Sequence, residues 1–106
     1  MTVTLYTPGE SPRLLTPEGF SLPDADSGLA HISSRIAEEL GCTINLVDVL
    51  DSGPGYCAYS IFDSEAEVNN EARLSLKAVS RYPAAWDSDD EESIIRGPIL
   101  IVQHDQ

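Results

Sequence analysis

Apolar positions along the chain change period several times, and each change predicts an element. Residues 2–7 alternate polar and apolar side chains and are rich in β-branched residues, which predicts a first strand. Pro8-Gly9-Glu10-Ser11-Pro12 is turn chemistry, and residues 13–16 offer a short second strand that completes a hairpin before Pro17 and Gly19 interrupt it. Over residues 28–40 the period lengthens. Leu29, Ile32, Ile36 and Leu40 fall three, four and four residues apart, one stripe of an amphipathic helix. Asp26 or Ser27 stands where an N-cap is wanted, and Gly41 where a helix ends. Arg35 and Glu39 are placed to pair on its outer face.

Residues 43–50 return to alternation, with Ile44 and Leu46 on one side and Val47 and Val49 on the other; 51–55 form a turn. Residues 56–62 are apolar on both sides, as in a strand inside a sheet. Ser64-Glu65-Ala66-Glu67 has capping-box spacing, which predicts a second helix within 65–81 with Val68, Ala72, Leu76 and Val79 inward. Asn69-Asn70 weakens its first turns and allows a start at Asn70, with 63–68 continuing the strand or turning. Pro83 closes the helix. Ile99-Leu100-Ile101-Val102 is continuously apolar, the pattern of a central strand covered on both faces. The fold class is α+β: a single small domain over residues 1–106, about five strands and two helices in the order ββαββαβ, with an acidic loop at 87–92.

Composition adds one strong signal. Eighteen Asp and Glu oppose six Lys and Arg, a net charge of −12. That balance excludes binding to nucleic acid or an anionic membrane through a basic surface. No apolar run reaches the ~20 residues of a membrane span, and the first residues lack the basic region of a signal peptide, so the expected location is cytoplasmic. The two cysteines, Cys42 and Cys57, are far apart, and with His31 and His104 they lack the paired spacing of a zinc site. The stretch 87–92 lacks the central Gly and the twelfth-position Glu of an EF-hand loop, and Gly53-Pro54-Gly55 is not a phosphate loop. No catalytic residue, metal site or cofactor is assigned, and the chain is not read as an enzyme.

Three segments together resemble the small family catalogued as domain of unknown function 3846, found in phages, plasmids, actinobacteria and haloarchaea. They are the opening Val3-Thr4-Leu5-Tyr6-Thr7-Pro8-Gly9-Glu10, an acidic turn followed by Asn69-x-x-Ala72, and the closing Ile95-x-Gly97-x-Ile99 strand. The chain departs from that pattern in lacking a Gly in the acidic turn and in having Gly41-Cys42 where a Gly-Gly pair is usual. The resemblance implies a mobile-element accessory protein and supplies no active site.

Duplex DNA carries about one charge per 1.7 Å of axis, and carboxylates patterned on a folded surface imitate such a field. The partner expected on this reading is a basic host protein such as a nuclease or a restriction or CRISPR effector, reached by electrostatic steering. The candidate partner-binding residues are Trp86, Asp87, Asp89, Asp90, Glu91 and Glu92, with Glu65, Glu67 and Glu71. Trp86, the one Trp, is either an aromatic anchor ringed by charge or a cover for the core between the second helix and the last strand. The bland alternative is an acidic, even halophilic, accessory domain whose carboxylates serve solvation alone. A third reading places a small enzyme or ligand pocket at Tyr56, Tyr59 and Asp63.

Overall fold

A computed structural model describes residues 1–86 and 94–104. Five strands form one antiparallel sheet: β1 (Thr2–Tyr6), β2 (Arg13–Leu15), β3 (Val47–Gly53), β4 (Tyr56–Ile61) and β5 (Ile99–Gln103). Their order across the sheet is β2-β1-β5-β4-β3. Two helices, α1 (Ser34–Leu40) and α2 (Asn70–Val79), complete the α+β fold in the chain order ββαββαβ.

The last apolar run takes the middle place. β5 pairs with β1 from Thr2↔Gln103 to Tyr6↔Ile99 and with β4 from Tyr56↔Gln103 to Tyr59↔Leu100. Because side chains alternate across a strand, Leu100 and Val102 enter one core with Val3, Leu5, Phe20 and the α1 residues Ile36, Ala37 and Leu40. Ile99 and Ile101 enter a second core with Tyr56, Ala58, Trp86 and the α2 residues Ala72 and Leu76. The sheet therefore has one helix on each face.

The first helix is shorter than its apolar spacing predicts. It starts at Ser34, and Leu29 and Ile32 lie before it, 68% and 42% exposed. Asp26 and Ser27 do not cap it. The Asp24 carboxylate accepts from the Asp26 amide and the Ser27 hydroxyl from the Leu29 amide, so these side chains fold a local turn instead. Gly28 closes that turn with φ 72, a value that stops helix propagation into residue 28. Ser33 precedes the helix, but its hydroxyl donates to the Gly19 carbonyl rather than to a helix amide. The far end agrees with the sequence: the Gly41 amide bonds back to the carbonyls of Ala37 and Glu38. Arg35 pairs with Glu39 as the spacing predicts, and Glu39 also takes Arg13 of β2 at 2.9 Å.

Two strand boundaries also move. Ile44–Leu46 is a 3₁₀ turn and not strand, and β3 continues through Asp51 and Ser52, predicted as turn, to Gly53. A bulge between Val49 and Asp51 absorbs the extra residue. The second helix starts at Asn70, the later of its two candidate starts. The capping-box serine serves a turn, its hydroxyl accepting from the Ala66 amide, and Val68 bridges Arg96 instead of joining the inner stripe.

Truncating Ile36 or Ile101, 1% and 2% exposed, to Ala is expected to cost roughly 2–5 kcal/mol. Leu29→Ala is expected to cost under ~0.5 kcal/mol. Urea unfolding of the three variants checks this; a large loss at Leu29 would restore the longer helix.

Candidate functional site

Two polar nodes hold the turns and helix ends on the α2 side of the sheet. The first is Asn69, 3% exposed. Its side-chain oxygen caps α2 by accepting from the Ala72 amide, and its amino group donates to the carbonyls of Tyr6 and Gly97 at 2.9 and 2.8 Å. Its backbone amide takes the Ile95 carbonyl, and the Gly97 amide takes the Glu67 carbonyl. Gly97 has φ 74, and a Cβ there would lie 2.8 Å from the Ser64 hydroxyl oxygen, so only glycine lets these segments close.

The second node is Asp51, half-buried beside the β3 bulge. One carboxylate oxygen accepts from the Tyr56 hydroxyl at 3.0 Å; the other accepts from the Ser80 hydroxyl at 2.6 Å and the Trp86 indole N–H at 3.2 Å. The Arg73 guanidinium donates to the Trp86 carbonyl at 2.7 Å. Trp86, the last residue of the Pro83–Trp86 3₁₀ turn, is buried in the α2-side core. Its ring thus does what a core cover does and is not offered as an exposed anchor.

Asp87, Asp89, Asp90, Glu91 and Glu92 lie outside the described residues. Their flanks do not. The stretch leaves from Trp86, held by Asp51 and Arg73, and rejoins the fold at Ile94, next to Ile95 on the Asn69 node. The loop with exposed Glu65 and Glu67 runs against that same return segment through the Val68–Arg96 bridge, the Glu67–Gly97 bond and an Arg96 contact to the Ala66 carbonyl. Glu71 is exposed in the first turn of α2; Glu65 and Glu67 precede the helix instead of occupying its first turn.

Between this loop and the sheet lies a groove of about 180 Å³ lined by Asp48, Ser60, Asp63, Ser64, Ile94 and Arg96. Asp63 adopts φ 54, a left-handed conformation that aspartate tolerates better than most residues. Asp48 is the acidic residue that sequence reasoning missed as a site candidate, and Asp63 was named only with Tyr56 and Tyr59, not with the acidic cluster. Their signal was weak: Asp48 is one polar residue in an alternating strand, and Asp63 belongs to a turn. With two carboxylates against one guanidinium already bonded to a carbonyl, the groove suits a cationic side chain.

The tyrosine pocket does not form. Tyr56 packs on the α2 face and Tyr59 on the α1 face of β4, so the sheet separates them. The Cys57 thiol donates to the Tyr59 hydroxyl, which donates to the His31 carbonyl, and burial pushes both groups' pKa up. A fully covered, protonated thiol is not a nucleophile. Burial also raises the Cys42 thiol. Among the described residues no three His, Cys, Asp or Glu side chains are grouped to hold a metal ion, and no helix is long and apolar enough to cross a membrane. No protein-family model, curated protein or solved structure matches the chain.

Asn69→Ala removes a cap worth ~0.5–2 kcal/mol and strands two carbonyls at ~1–3 kcal/mol each if both stay dry. We expect a loss of about 3 kcal/mol by denaturant unfolding, against under ~0.5 kcal/mol for Asn70→Ala one position along. Equal effects would dissolve the node.

Proposed function

We propose that the protein is a non-enzymatic acidic binding protein of a mobile element, phage or plasmid, acting in the cytoplasm. It inhibits or modulates a basic nucleic-acid-handling host protein, a nuclease or a restriction or CRISPR effector, by presenting nucleic-acid-like negative charge. One observation carries this reading. The flanks of the 87–92 stretch and the Glu65–Glu67 loop converge on the Asn69 node, beside a groove holding Asp48 and Asp63. Of the described acids, Asp48, Asp63, Glu65 and Glu67 thereby share one side of the molecule. Carboxylates gathered in this way steer a basic partner. The resemblance to a family of phage and plasmid proteins supports the setting.

Patterned binding requires that some carboxylates count for more than others. Neutralising Asp89, Asp90, Glu91 and Glu92 to their amides is expected to weaken binding to a basic partner at least about tenfold, ~1.4 kcal/mol, and to flatten its salt dependence. The control neutralises Glu10, Glu18, Asp24 and Glu38, with the same change in net charge. Calorimetric titration of a partner pulled from host lysate at low salt compares them; equal losses would leave net charge alone responsible.

Solvation in brine makes a different demand. A fold built for molar salt gains stability steeply with KCl as self-repulsion is screened. We expect Tm to rise by less than about 5 °C between dilute buffer and molar KCl, the change that ~1 kcal/mol produces in a domain this size. A steep climb in a thermal melt would favour the halophilic accessory domain.

A further inference from the structure

Among the described residues β3 ends the sheet on one side, and its outer backbone groups have the orientation that pairs with a further strand. The other edge, β2, is three residues long, and its Arg13 is held by Glu39. β3 is seven residues long, and Val47, Asp48 and Val49 run in regular register with Ile61, Ser60 and Tyr59 of β4 before the bulge ends the regular stretch. Across this edge the two faces differ. Asp48 lies on the α2 face in one cross-strand row with Ser60, and both line the acidic groove. Val49 lies on the α1 face in one row with Tyr59 and is 36% exposed. The loop above that row, where the His31 carbonyl meets Tyr59, carries the exposed Leu29 and Ile32, and exposed Ile44 and Leu46 lead into β3.

We propose that β3 receives an extended segment of the target, added antiparallel or parallel to residues 47–49, in which Lys or Arg alternates with an aliphatic residue. This deepens the proposed function and rests on it. Directly paired residues share a face, and opposite-charge pairs and apolar pairs each stabilise a sheet. The cationic positions of the added strand therefore fall beside Asp48 and the groove, and the aliphatic ones beside Val49. Main-chain bonds supply affinity and the alternation supplies specificity, as in other strand-addition complexes. A second copy of this chain fits poorly. It brings −12 against −12, and the register centred on Asp48 sets that carboxylate against itself, which is destabilising.

The test uses two capped eight-residue peptides of one composition: lysine and valine in strict alternation, and four lysines followed by four valines. Amide hydrogen exchange of the whole chain, followed by NMR at low salt, reads the binding site. The alternating peptide is expected to slow exchange of the outward-facing amides within 47–49 at least about tenfold and to leave β2 unchanged. The block peptide should not protect them. Asp48→Lys should abolish this protection without moving Tm. Protection by both peptides alike, protection at β2, or retention of the effect in Asp48→Lys would overturn the proposal. So would protection of β3 that grows with protein concentration alone, which identifies a second copy. If both peptides bind and shift only Glu65, Glu67 and Glu71, edge docking fails and the acidic-face reading stands. If neither peptide binds anywhere, both fall.

Discussion

A strand with no polar side obliges the protein to build on both faces of its sheet. Ile99, Leu100, Ile101 and Val102 are all buried, and two aliphatic residues per face, at ~1.5–3 kcal/mol each for burial, are more than a domain this small can leave wet. Hence one helix lies on each side, and β1 and β4 flank β5 on its two edges. α1 and α2 are short, and neither would persist alone. Each is held by its buried stripe and by a few side-chain bonds at its ends.

Those bonds gather three segments that are distant in sequence. The end of the opening strand, Asn69-x-x-Ala72 and Ile95-x-Gly97 meet at one residue, Asn69: its side chain donates to the Tyr6 and Gly97 carbonyls and accepts from the Ala72 amide, and its backbone amide donates to the Ile95 carbonyl. Their residues are fold-determining. The side chains that could meet a partner belong to the intervening positions, where the sequence is most polar.

The sheet was legible because burial leaves a periodic trace. The β5 run, the two-faced apolar pattern of β4 and the Ile36–Leu40 repeat all report real contacts. Start signals were less legible because serine, aspartate and asparagine cap helices and build turns by the same hydrogen bond. Asp24, Ser27 and Ser64 spend that bond on turns, whereas Asn69 spends it on a helix. Only the tertiary partners of Asn69 decide the matter, and no local window contains Tyr6 or Gly97. The site followed the same rule. Glu65, Glu67 and Glu71 were visible as a charge cluster, but Asp48 reaches the same groove as Asp63 through strand pairing, across a separation that composition does not reveal.

The order of the strands also has a temporal side. During synthesis β1–β2 and β3–β4 emerge as two hairpins, each closed by local contacts, with nothing yet between them. The strand that belongs between them is the last of the five to leave the ribosome, and its pairing of Thr2 with Gln103 spans almost the whole sequence. Long-range pairing of this kind is slow to form. Until β5 arrives, the inner edges of β1 and β4 stand open on the nascent chain, the state in which strand edges are most prone to mispair. Closure of this sheet therefore waits on its last strand, and a net charge of −12 sets half-made copies against one another during that wait.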